Sequence, residues 1–102
     1  MAYDNMFSAL GDSTRRQVFE AVAECPRAVG DLAADLPVSR PAVSQHLKVL
    51  SDAGLVVCRA EGTRRIYAAR PEGLADLRAW LERYWSDALE SFAAEVNKGR
   101  DA

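Results

Sequence analysis

The sequence predicts a mainly α-helical fold carrying one β-hairpin, and three observations lead to it. Turn residues cut the first half into four short amphipathic stretches, a glycine-centred turn separates two short β-prone runs, and the stretch from about Gly73 to Val96 keeps helical periodicity throughout.

The first helix is expected from about Tyr3 to Leu10, apolar at Met6, Phe7 and Leu10, and ended by Gly11. Asp12 or Ser13 caps a second helix that turns Val18, Phe19 and Val22 inward and runs to about Glu24 before Pro26. A third, from about Ala28 to Leu36, buries Val29, Leu32 and Leu36 and breaks at Pro37. The fourth opens with Ser39 as its cap and Pro41 in its first turn, where the missing N–H costs nothing. In it Val43, Leu47 and Leu50 recur at i, i+4 and i+7 and anchor one face, while Arg40, Ser44, Gln45 and Lys48 point elsewhere. Gly54 ends that helix. Leu55 to Arg59 reads as a strand, Glu61-Gly62-Thr63 as a turn and Arg64 to Ala68 as the returning strand. The closing helix would be roughly 36 Å long at 1.5 Å per residue. Leu74, Leu77, Leu81, Tyr84, Ala88 and Phe92 lie along one side of it, and Trp80, Trp85 and Leu89 widen the stripe. A body this small cannot cover so broad an apolar face, so a second copy of the helix is expected to cover it.

A length of 102 residues suits one domain spanning 1–102, with the helix at about 73–96 as its dimerisation element. No stretch approaches the roughly 18 apolar residues of a membrane span. The opening Met1-Ala2-Tyr3-Asp4-Asn5 has neither a basic region nor an apolar one, so a cytoplasmic location is expected. Cys25 and Cys58 lie too far apart for a CxxC unit and are expected as free thiols packed as small buried hydrophobes. The net charge of −2 hides a strong asymmetry. Between Ser39 and Arg70 stand Arg40, Lys48, Arg59, Arg64, Arg65 and Arg70 against Asp52 and Glu61, a local net of +4, while the rest of the chain carries −6. A basic stretch on an acidic body is the footprint of a protein that meets phosphate with one face.

Two short helices joined by a tight turn and followed by a basic hairpin form a helix-turn-helix with a wing, whose second helix enters the major groove of DNA. Three segments then resemble the ArsR/SmtB-type family of bacterial winged-helix repressors. They are Phe7 to Arg16 (FSALGDSTRR), Val38 to Leu50 (VSRPAVSQHLKVL) with Ala53-Gly54-Leu55-Val56, and Gly62 to Tyr67 (GTRRIY). The likeness extends from Phe7 to about Trp85. It implies a homodimer held by the first and last helices, through Met6, Phe7, Leu10, Leu77, Leu81, Tyr84, Trp85, Ala88 and Phe92. It also implies two recognition helices docked in successive major grooves of an inverted repeat in double-stranded DNA: a sequence-specific transcriptional repressor, and not an enzyme. By position in the matching motif, Arg40, Pro41, Ser44 and Gln45 would meet base edges, with Arg40 to guanine foremost. Ser39, His46, Lys48, Arg59, Arg64 and Arg65 would meet the DNA backbone or act from the wing.

The departures from the family pattern inform as much as the matches. Metal-sensing relatives carry Cys-x-Cys at the start of the third helix, where this chain has Ala28 and Gly30; others use Asp and His on the last helix, whereas His46 is the only histidine here. Soft metals require thiolate or imidazole clusters, so neither a metal nor a cofactor is expected, and the sequence identifies no small-molecule effector. Other readings stay open at this level. The same surface, or the long helix, would also serve a protein-interaction module, and Cys25 with Cys58 would be the starting point of a redox or arsenic sensor. Arg59, Arg64 and Arg65 read alternatively as edge-strand charges that deter aggregation. His46 reads as a hydrogen-bonding boundary residue, since no nucleophile motif surrounds it.

Overall fold

The chain runs α1 (Ala2–Gly11), α2 (Ser13–Glu24), α3 (Val29–Asp35), α4 (Arg40–Asp52), β1 (Val56–Glu61), β2 (Arg64–Ala69) and α5 (Pro71–Arg100) in a computed structural model that describes residues 2–100. Met1, Asp101 and Ala102, at the margins of the expected 1–102 domain, lie outside the described residues.

The junction between α1 and α2 is built by side chains that satisfy helix ends. The Asp12 carboxylate accepts from the Arg15 backbone N–H at 2.9 Å, capping α2, and Arg16 Nη1 donates to the Leu10 carbonyl at 2.8 Å, closing α1. The hydrogen bond from Arg15 holds the Asp12 carboxyl below its ordinary value, and the nearby charges of Arg15 and His46 reinforce it. At the far end of α4, Gly54 takes φ +79°, its N–H bonds the Ser51 carbonyl at 3.0 Å, and the Leu55 N–H bonds the Leu50 carbonyl at 2.9 Å. This pair of bonds is a Schellman motif, and its accompanying apolar contact is made by Leu50 and Leu55, both fully buried.

The hairpin pairs antiparallel from Val56↔Ala69 to Glu61↔Arg64. Its turn is Gly62-Thr63 alone, with Gly62 at φ +64° in the first central position, so Glu61 belongs to β1 and not to the turn as expected. Reciprocal backbone bonds between Arg27 and Tyr67, at 3.0 and 2.8 Å, dock the hairpin on the linker between α2 and α3. The core lies where α2, α3, α4 and the base of the hairpin meet: Val18, Val22, Leu32, Val43, Leu47, Leu50 and Leu55 are fully buried. Met6 and Ala9 of α1 join them, and Phe19, expected inward, is only partly buried.

The expected thiol placement is overturned: both Cys25 and Cys58 are exposed. Cys25 ends α2 with an extended backbone and its Sγ near the Pro26 carbonyl, at 3.6 Å. Cys58 lies on β1, which is buried only at Val56, so beyond its first residue this strand is covered by nothing but β2.

The last helix is longer at both ends than its apolar pattern predicts. Pro71 is tolerated at the first helical position, and after Gly73 neither glycine nor proline occurs until Gly99. Its start is clamped to the body at Gly73, where a Cβ would run into the Gly54 carbonyl oxygen and lie 3.1 Å from the Gly54 carbonyl carbon and 3.4 Å from Leu55 Cα. Backbone cannot move aside as a side-chain tip does. Gly73→Ala is therefore expected to lower unfolding stability by about 1–3 kcal/mol, the usual cost of overpacking, and to be read as an earlier urea midpoint at unchanged slope. Leu77 and Trp80 still touch the body, through the core and through Phe7, and after them α5 projects away from it with every residue from Leu81 to Gly99 exposed. The radius of gyration is 18.4 Å and the long axis 67 Å, where a compact chain of this size would give about 13 Å.

Candidate nucleic-acid interface

The α3–turn–α4 unit and the hairpin together present one polar surface. Ser39 Oγ accepts from the Ala42 N–H at 3.3 Å and fixes the start of α4, with Pro41 in the first turn. Val43, Leu47 and Leu50 have no exposed surface, which sets the rotation of the helix and forces Arg40, Pro41, Ser44, Gln45 and Lys48 outward; all five are exposed.

A shallow open groove of roughly 380 Å³ runs between the first turn of α3, the start of α4 and the start of β2. It brings together Arg40, Ser44, Arg64 and Arg65, with Ala28, Val29 and Gly30 as its floor. The other expected contacts do not line this groove. Pro41, Gln45 and Lys48 lie on exposed α4, and Lys48 reaches Asp52 at 3.6 Å; Arg59 is exposed on β1 opposite Ile66. His46 is half-buried on α4, beside the fully buried Leu47. Tyr67 stands opposite Cys58 in the hairpin, and burial first, then the neighbouring thiol, push its phenol above the ordinary value, so it is a neutral packing group at neutral pH.

Two groove features escape sequence reasoning. Arg64 Nη2 lies 2.8 Å from Asp31 Oδ2, tying the wing to α3, and the Arg40 guanidinium rests directly over Gly30. The sequence marks Gly30 only as an empty ligand position and assigns Asp31 no role, and no spacing brings either to Arg40 or Arg64. Ala28 and Gly30 carry no donor atom. Among the described residues no group of three or more His, Cys, Asp or Glu side chains is arranged to hold a metal.

The second expected surface, for a partner protomer, is distributed differently from its sequence pattern. Leu81, Tyr84, Trp85 and Phe92 are each more than half exposed, and Ala88 is exposed beside them. Phe7 of α1 is also exposed and meets Trp80 edge-on at 4.6 Å, and Trp80 meets Tyr84 at 4.7 Å, so α1 and α5 contribute to one aromatic surface. Leu10 and Leu77 are half-buried against the protomer's own core. Met6 is 2% exposed and packs inside that core, which leaves it no surface to offer a partner.

A recognition-type helix seated on a short helix beside a basic antiparallel hairpin defines the winged helix-turn-helix class of DNA-binding proteins. Residues 12–57 match the family model for bacterial regulatory proteins of the arsR family. The chain is 54% identical to the HTH-type transcriptional regulator Rv2034 of Mycobacterium tuberculosis, over 96% of this chain and 92% of the relative. Among solved structures it is similar to an ArsR-like transcriptional regulator from Rhodococcus sp. RHA1, with a TM-score of 0.80 and 31% identity over 91% of this chain and 88% of that one. It is also similar to the homodimeric winged helix-turn-helix DNA-binding domain of a possible ArsR-family regulator from Mycobacterium bovis, with a TM-score of 0.69 and 30% identity over 87% and 82% of the two chains. This chain belongs to the ArsR family of bacterial transcriptional regulators, which are not enzymes. Among the described residues no helix is long and apolar enough to cross a membrane.

Proposed function

We propose that the protein is a cytoplasmic homodimeric repressor that occupies an inverted-repeat operator in double-stranded DNA and thereby blocks polymerase. The observation that carries this reading is the groove: three guanidinium groups and Ser44 gathered around a helix whose opposite face is wholly sequestered in the core. Arg40, Pro41, Ser44 and Gln45 would read base edges, because the N-terminal half of such a helix approaches the bases. Ser39, Lys48, Arg59, Arg64 and Arg65 would hold phosphate and fix the register. The absence of donor atoms at Ala28 and Gly30 supports regulation without a metal at that family position.

The dimer rests on the exposed apolar face shared by α1 and α5 and on the homodimeric state of the M. bovis relative. A two-fold assembly would present two α4 helices about 34 Å apart, one helical turn of DNA. The test is a titration against the gene's own upstream duplex and a random duplex at 50 and 200 mM salt. Six to eight phosphate contacts per dimer should give a loss of about 10³–10⁴-fold in affinity across that range. Equal, weak binding to both duplexes at low salt would exclude the reading.

A further inference from the structure

We propose that Gly30 and Asp31, in the first turn of α3, are positioning residues that set operator specificity by seating the two arginines Arg40 and Arg64. This rests on the reading of the groove as the DNA-contacting surface.

The two seats are of different kinds. At Gly30 the seat is steric. A Cβ built there would collide with Arg40 Nη2 and lie 3.3 Å from Cζ and 3.6 Å from Nε, so the guanidinium occupies the space that any other side chain would fill. Glycine inside a helix weakens it relative to alanine, and α3 has only seven residues. Local stability therefore argues against glycine at this position, and the room taken by Arg40 accounts for it. Among the described residues no carboxylate pairs with Arg40, so its donors stay free for the paired acceptors of a guanine edge while the backbone beneath fixes where they point.

At Asp31 the seat is ionic. The carboxylate holds Arg64 at 2.8 Å across 33 residues of sequence, and both side chains are more than half exposed. An exposed pair of this kind adds little to stability, so its consequence is orientation: it ties the start of β2 to the same turn that seats Arg40. The first turn of α3 thus sets the distance between the base-reading arginine and the wing arginine. An acidic group beside a phosphate-binding surface would by charge alone only weaken binding to any DNA, and this separates the two roles experimentally.

The experiment selects duplexes from a randomised pool with the wild-type protein, then measures affinity for the selected and a scrambled duplex with wild type, Gly30→Ala and Asp31→Asn. Gly30→Ala is expected to keep or raise the thermal midpoint, because only a flexible side-chain tip must move. Its selected-to-scrambled affinity ratio is expected to fall about tenfold or more, the scale of one lost paired base contact, with relaxed preference at one position of each half-site on reselection. Asp31→Asn is expected to tighten scrambled-duplex binding while tightening the selected duplex less, lowering the ratio severalfold. An unchanged ratio for Gly30→Ala overturns the steric seat, and equal tightening on both duplexes for Asp31→Asn overturns the ionic one. If the wild type enriches no duplex at all, the DNA-binding reading itself fails and the inference falls with it. That outcome is distinct from a wild type that enriches and variants that match it.

Discussion

Replacing Trp85 and Phe92 together by serine is expected to convert the protein to a monomer and to weaken binding to a full operator on the order of a thousandfold. Both side chains are about two-thirds exposed, at 63% and 68%, so their removal takes little from the protomer's own core. What they hold instead is the apolar face that continues through Leu81, Leu89 and Val96 on a helix projecting well beyond the body. Monomeric soluble proteins rarely leave so large a contiguous apolar patch open to water. Serine is the informative replacement because it removes apolar area without adding a charge that would act directly on a polyanion. The size of the effect follows from tethering. Once one α4 is docked, the second binds at an effective concentration set by the dimer, which multiplies affinity by about 10²–10⁴. Light scattering coupled to size exclusion reads the oligomeric state, and titration of full and half operators reads the coupling. Full-site and half-site affinities should converge in the variant. A variant that remains dimeric, or a monomer that binds the full site as tightly as wild type, would remove α5 from the assembly.

The parts of this architecture that local rules govern are readable from the chain. Pro26, Pro37 and Gly54 punctuate the helices where the structure ends or interrupts them, because the positive φ of a cap, taken by Gly54, and the missing N–H of proline act within a few residues; Gly11 is the last residue of α1 and has no positive φ. The spacing of Val43, Leu47 and Leu50 sets which side of α4 is inside, and the structure buries those three completely. The apolar stripe marks too short an α5, because Pro71 is able to open a helix and the polar residues after Val96 to continue it. The exposure of both cysteines is hidden from the sequence for a related reason. Average burial of a residue type says nothing of whether its strand has a covered face, and beyond Val56 the strand bearing Cys58 has none. Least legible were the features that bring distant segments together. The Asp31–Arg64 pair and the space over Gly30 depend on how α3 meets the wing and α4, and no periodicity encodes either.

For Arg40→Ala, affinity for the selected operator is expected to fall on the order of a hundredfold while affinity for random duplex falls only a few-fold. Arg40 is exposed at the start of α4, rests on the Gly30 backbone outside the core, and leads a helix held by Ser39 and by Val43, Leu47 and Leu50, so its truncation leaves the fold intact. A paired guanidinium–guanine contact is worth about 1–3 kcal/mol of discrimination, and a two-fold dimer would lose it in both half-sites. Lys48 supplies the control. It is exposed on the same helix a little more than two turns later, where phosphate contact is expected. Lys48→Ala should weaken all sequences alike and flatten the salt dependence by about one counterion per protomer. The contrast between a specificity loss at Arg40 and a uniform loss at Lys48 follows from an α4 laid in the major groove with its first turn toward the bases. It would not arise if the same face bound another protein, for then Arg40→Ala and Arg64→Ala would leave DNA affinity and repression in the cell unchanged.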